Sequence, residues 1–234
     1  MSWHRKTLVG FDLETTGTEP SESRIVTAAV VEVLDGRLVR RLEWLADPGV
    51  PIPDEAAEIH GVTTARAAAE GRPVREVAAE IAGVLREYWA QGVPVVAYNA
   101  AFDLTLLDAE LRRHGLEPLT GAAPVLDPLT IDRAVDKYRR GKRTLEASCA
   151  EYGVVLDGAH EAGADALAAV RVAVAIAERH RQVGATDLAE LHRQQVGWYA
   201  DWATDFQAFL RRKGNADAVI PADWPLREAS SVPR

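Results

Sequence analysis

The 234-residue chain has one cysteine, Cys149, so it can form no internal disulfide, and such usage fits a reducing compartment. Cys149 falls in a helical run, TLEASCAEYG, and reads as buried filler. No Cys and His residues stand at structural-zinc spacing. No G-x-x-x-x-G-K-[ST] loop is present, which excludes nucleoside-triphosphate hydrolysis by that route. No apolar run approaches the roughly 20 residues that cross a bilayer, and MSWHRKTLVG contains no apolar export segment. A cytoplasmic location without membrane contact is therefore expected. Positive charge is in short supply, with 27 Lys and Arg against 35 Asp and Glu and a net charge of −8. That balance argues against gripping long duplex by phosphate neutralisation. It does not exclude a nucleic-acid enzyme, because carboxylates that hold divalent ions are counted here without their ions.

What is present reads as an ordered α/β chain. Residues 6–14 form a first strand. RIVTAAVVEVLDGRLVRRLEWLA holds two β-branched runs joined by Asp35-Gly36, a hairpin signal. The first three strands are thus antiparallel neighbours. A short helix is expected over 54–59, stopped by Gly61. The period of VREVAAEIAGVLREYWA is helical, and VPVVAYN reads as a short buried strand. AFDLTLLDAELRRHG is a helix, PVLDP a fifth strand, and LTIDRAVDKYRR and TLEASCAEYG further helices. HEAGADALAAVRVAVAIAERHRQVG is one long helix closed by Gly184. Residues 1–184 form one domain, 185–214 a Trp-rich helical extension, and 215–234 an extended or disordered arm. Strands followed by alternating helices and strands make a mixed five-stranded α/β layer.

The stretch VGFDLETTG carries the chemistry. Asp12 and Glu14 lie two apart on a strand, so their side chains share a face. Like charges at the edge of a core are costly unless a cation lies between them. Asp103 opens the helix after the fourth strand, and Asp165 lies in the first turns of the long helix. Strand ends and helix starts of an open α/β sheet converge on one crevice. Mg²⁺ takes oxygen ligands from a few carboxylates and substrate phosphates, and two such ions roughly 4 Å apart activate water and stabilise a leaving oxygen. His160, five residues before Asp165, has the chemistry of a general base near neutral pH.

FDLETTG, YNAAFD and HEAGAD, in that order, resemble the three motifs of the DEDDh 3′–5′ exonucleases, the DnaQ-like branch of the ribonuclease H-like superfamily. The resemblance runs from about Thr7 to Ile176 and implies a ribonuclease H-like fold. It implies that Asp12, Glu14, Asp103 and Asp165 bind two Mg²⁺ or Mn²⁺ ions and that His160 deprotonates the attacking water. It places Thr15 and Thr16 beside the terminal nucleotide with backbone donors near its 3′-hydroxyl. Asn99 and Phe102 line the pocket, and IHGVT puts His60 near the substrate. Tyr98 departs from the family pattern, where many relatives carry histidine. The activity implied is release of nucleoside 5′-monophosphates from the 3′ end of single-stranded nucleic acid, with DNA favoured and a role in replication or repair.

Two other readings stand beside it: a non-catalytic binding module on the same fold, and a polymerase proofreading subunit. The basic run KYRRGKR, 137–143, is a candidate for phosphate contacts. The aromatic helix containing Trp198, Tyr199 and Trp202 packs on the domain, forms a homodimer interface, or stacks on unpaired bases.

Overall fold

The computed structural model describes residues 2–227. Strand β1 (Thr7–Thr15) runs through the middle of the sheet, antiparallel to β2 (Ile25–Leu34), which is antiparallel to β3 (Arg37–Asp47). Asp35 and Gly36 join β2 to β3 with φ of 49° and 75°, as a tight two-residue hairpin requires. Two short strands, β5 (Val95–Val96) and β6 (Val125–Leu126), add parallel to β1. The sheet has a sixth strand where five were expected. This β4 (Arg72–Pro73) pairs with the outer edge of β3, giving the order β4-β3-β2-β1-β5-β6. Two residues ending in proline carry no periodicity, so the sequence pattern passes over it.

Helices α1 (Asp54–His60) and α2 (Thr64–Glu70) follow β3, and α3 (Val74–Ala90) leads into β5. The second of these was not expected; it starts where the Thr63 hydroxyl accepts the Arg66 N–H. Helix α4 (Ala100–Arg113) leads into β6, followed by α5 (Pro128–Val135), α6 (Leu145–Tyr152), α7 (Ala162–Arg179), α8 (Arg181–Ala185) and α9 (Leu188–Arg212). The basic run past α5 is not helical. The long helix also breaks once, at His180, whose φ and ψ of −108° and 83° leave the helical region.

Alternation along β1 divides the core. Val9, Phe11 and Leu13 face the layer built from α3 and α4, where Ile81, Leu85, Leu104 and Leu107 are fully buried. Leu8 faces the opposite layer, formed by the alanine-rich side of α7. Gly10, Asp12 and Glu14 share that second face. A Cβ on Gly10 would lie 2.4 Å from the Ala166 carbonyl oxygen, so glycine is what lets α7 rest on β1.

The last helix is not a free extension. Leu191, Gln195, Tyr199 and Ala203 of α9 are buried. Tyr199 joins the α3–α4 core together with Trp224, whose ring lies 5.1 Å from that of His192 and is tilted by 46°. Residues 215–227 form no helix or strand, yet Ala218 and Trp224 are buried and the Arg227 N–H donates to the Thr105 hydroxyl. The end of the expected arm, 228–234, lies outside the described residues.

Candidate active site

Each carboxylate reaches the site by a simple local rule. Asp12 and Glu14 stand on the α7-facing side at the carboxyl end of β1, the strand end where ligands of open α/β sheets bind. Asp165 is in the first turn of α7, one residue before the carbonyl that touches Gly10. Asp103 is in the first turn of α4, and its buried Oδ1 accepts the Leu13 N–H at 3.1 Å. Asp103 is thus fastened to the backbone at Leu13, the residue between Asp12 and Glu14.

The electrostatics follow from crowding. Burial pushes the Asp12 carboxyl well above the usual range, and the charges of Asp103, Asp165 and Glu14 push it further. Burial, then Asp165, raises Glu14 to about 7. Asp103 and Asp165 are also raised, in each case first by burial. Asp165 Oδ1 is buried and has no hydrogen-bond partner among the described residues, while its Oδ2 accepts the His160 N–H at 3.3 Å. Ligand atoms of Glu14, His160 and Asp165 all lie within 4.8 Å of one another. An orphaned carboxylate oxygen among like charges fits a hard divalent cation with oxygen ligands.

His160 itself is exposed, at the end of the loop before α7, with φ of 67°. Its Nε2 lies 3.5 Å from Glu146 Oε1 in α6. A cavity of about 510 Å³ runs beside it, lined by His60, His160, Arg41, Arg66 and Glu161. His60 stands across this cavity; its Nδ1 accepts the Val62 N–H and its Nε2 is buried without a partner.

The other expected site residues divide. Asn99 has φ of 66° in the turn that opens α4, and Phe102 is half-buried against the α3–α4 core. Thr15 and Thr16 lie at the end of β1, but Thr16 has no free backbone donor. Its N–H donates to the Arg24 carbonyl and its hydroxyl accepts the Arg24 N–H, because the turn after β1 closes on itself. The Thr15 hydroxyl donates to the Gly17 carbonyl. The run 137–143 is also less available than its composition suggests. Arg139 and Arg143 both hold Asp132, a fully buried carboxylate that needs paired cations.

Two buried polar residues that the motifs do not include hold the site's turn. Asp127 accepts the N–H groups of Asn99 at 3.0 Å and Ala100 at 3.2 Å while capping α5. Gln195 of α9 then accepts the Asp127 N–H at 2.7 Å and donates to the Val125 carbonyl. The Asp-Pro pair at 127–128 is a helix-start signal that could have revealed the first. No local signal marks Gln195.

Comparison with known proteins agrees with this geometry. The PolC-type DNA polymerase III of Streptococcus agalactiae is 29% identical over 198 residues, covering 84% of this chain and 13% of the polymerase. That of Streptococcus thermophilus is 30% identical over 192 residues, covering 81% and 12%. The chain therefore spans only a small part of these relatives. Escherichia coli exonuclease I in complex with a dA16 oligonucleotide superposes with a TM-score of 0.65 at 20% identity, over 83% of this chain and 44% of that one. Exonuclease I of Methylocaldum szegediense gives 0.61 at 23% identity, over 87% and 46%. These two share the fold. The exonuclease family model (RNase_T) matches residues 9–173, a span that takes in the whole carboxylate cluster. With strand, helix starts and histidine all inside that match, this chain belongs to the exonuclease family.

Proposed function

We propose that this chain is a metal-dependent 3′–5′ exonuclease that removes nucleoside 5′-monophosphates from single-stranded ends, with DNA the favoured substrate. The observation that supports the reading is the crowding of Glu14, Asp165 and His160 ligand atoms within 4.8 Å around a buried Asp165 oxygen that has no partner among the described residues, with the raised carboxyls of Asp12 and Asp103 in the same charge cluster. Asp12, Glu14, Asp103 and Asp165 would hold two Mg²⁺ or Mn²⁺ ions. Such ions supply an activated water and charge stabilisation for the departing 3′-oxygen.

The residues of the chain do the rest. His160 takes the proton of the water whose oxygen bonds to phosphorus as the bond from phosphorus to the 3′-oxygen breaks. Its exposure lets the imidazole swing, and Glu146 is placed to stabilise the imidazolium that forms. Asn99, Phe102, Thr15, Thr16 and His60 border the terminal nucleotide. Thr16 acts there by shape, since its backbone donor is spent. DNA is favoured because the exonuclease I structures of this fold include one in complex with dT13 and one with dA16, and the curated relatives are DNA polymerases.

Those polymerases also favour a second reading of the same chemistry, proofreading beside a polymerase. The test is a time course on 5′-labelled single-stranded DNA, RNA and duplex with Mg²⁺ or Mn²⁺. A ladder shortening from the 3′ end of single-stranded DNA is expected. Products that lose the 5′ label first, or no cleavage with either ion, would defeat the proposal.

A further inference from the structure

A second concave surface lies outside the carboxylate cluster. Between α5, the loop after it and α9 runs a groove of about 570 Å³, within the ~300–1,000 Å³ common for ligand sites. Its lining pairs cations with rings: Arg133, Lys137 and Arg143 on one side, Trp198, Trp202 and Phe206 on the other. Arg139 and Arg143 are committed to Asp132, and Lys137 reaches Asp205 at 3.2 Å. Arg133 differs. Half-buried, it makes neither hydrogen bond nor ion pair among the described residues, and its guanidinium rests 3.8 Å over the Trp202 ring. Trp202, Phe206 and Phe209 follow one another along α9 with rings within 14° of parallel, at 5.4 and 6.3 Å.

The groove adjoins the active site through Tyr98. This residue precedes Asn99, and its hydroxyl donates to the carbonyl of Arg143, a groove residue, at 2.9 Å. The Tyr98 hydroxyl also lies 3.2 Å from the carbonyl of Thr144, two residues before the Glu146 that faces His160. A strand whose 3′ end is being cut has only its upstream part left to place. A guanidinium without an acceptor suits a phosphate, and parallel rings suit bases.

We propose that this groove holds an upstream nucleotide of the single strand, its phosphate on Arg133 and its base against Trp198 and the open edge of the Trp202–Phe206 stack. The inference rests on the exonuclease reading, and it gives the family's catalytic domain a second grip made by α9. Asp201 and Asp205 line the same groove; Lys137 holds Asp205 and Asp132 holds Arg143, so among the described residues the uncommitted charges there are Arg133 and the exposed Asp201.

The test is anisotropy with 5′-labelled dT3 and dT12 on the full chain in Ca²⁺, together with Mg²⁺-driven cleavage of both. The wild type should bind dT12 about tenfold or more tightly than dT3, as one stacked base and one phosphate imply. Arg133→Gln should shrink that preference and lower the salt slope of dT12 binding by about 0.7, one phosphate contact. Lys137→Glu, fully on the surface, and Phe206→Ala should shrink it too. A wild type without length preference, or variants that keep all of it while remaining folded by circular dichroism, overturns the groove while leaving cleavage intact. Absence of cleavage by the wild type instead overturns the exonuclease reading, whatever the binding shows. Phe206→Ala that abolishes a dimer in sedimentation yet leaves dT12 affinity unchanged would assign the face to a second copy and overturn the proposal.

Discussion

The Leu13 N–H donates to Asp103 Oδ1 at 3.1 Å, so the carboxylate from α4 is fastened to the strand that carries Asp12 and Glu14. Asp103 therefore has two duties, charge and backbone pairing, and they can be separated. Asp103→Asn keeps an oxygen for Leu13 and removes the charge. It should fold normally yet lose activity by more than the ~10–100-fold that losing a supporting partner costs. Asp103→Ala should lose as much activity and also melt lower, by about 1–3 kcal/mol for the unpaired buried N–H. Equal melting curves for the two variants would contradict the structural duty.

His160 stands close enough to Glu14 and Asp165 to be read as a ligand, so its role needs its own measurement. As general base, His160→Ala should slow the chemical step by about 10²–10⁴-fold while Mn²⁺ affinity holds. Asp165→Ala should lose both. Calorimetry that finds Mn²⁺ binding equally weakened in the two variants would make His160 a ligand instead.

Gln195 should matter to a reaction it never touches. Gln195→Ala leaves the Asp127 N–H unpaired, at a cost of about 1–3 kcal/mol, and loosens the cap on Asn99 and Ala100. We expect kcat/KM on a dinucleotide to fall by about 10–100-fold. Gln195→Glu, which keeps the accepting oxygen, should recover part of it. A fall in stability with unchanged kinetics would limit Gln195 to packing.

Glu14 sets a pH dependence whose sign can be stated. Its folded value of about 7 lies above the ordinary 4.5, so the folded chain holds this proton more tightly than the unfolded one. Stability in the metal-free chain therefore falls as pH rises from 4.5 to 7, by on the order of 3 kcal/mol from this group. Below that window the penalty is absent and above it complete. Subtracting Glu14→Gln melting curves from wild-type curves in chelator should recover that slope, and saturating Mn²⁺ should flatten it. A wild-type curve parallel to the variant's from pH 4.5 to 7 would refute the account.

Deleting 186–234 removes Gln195 from Asp127, Tyr199 and Trp224 from the core, and the partner of Thr105. The truncated chain is expected to be insoluble or molten, losing near-ultraviolet circular dichroism. A cooperative, active truncation would show the helix to be separable after all.

Much of this was legible in the residues because short-range rules dominate there. Alternation put Asp12 and Glu14 on one face, Asp35-Gly36 announced the hairpin, and helix starts placed Asp103 and Asp165. What escaped depends on partners distant in sequence. The run 137–143 looks free until the buried Asp132 is seen taking two of its arginines. Thr16 looks like a donor until Arg24 folds back onto it. Gln195 is one polar residue among many on α9, and only the tertiary fold turns it inward. Strand β4 is too short to leave a pattern.

Gly10 has a consequence for the life of the molecule. The helix it admits, at 162–179, is made well after β1, at 7–15, has left the ribosome. Until α7 settles on that bare stretch of backbone, Asp165 has no place beside Asp12 and Glu14. In a half-folded chain Asp165 is therefore apart from Asp12 and Glu14, and only the docking of α7 assembles the metal site proposed for them.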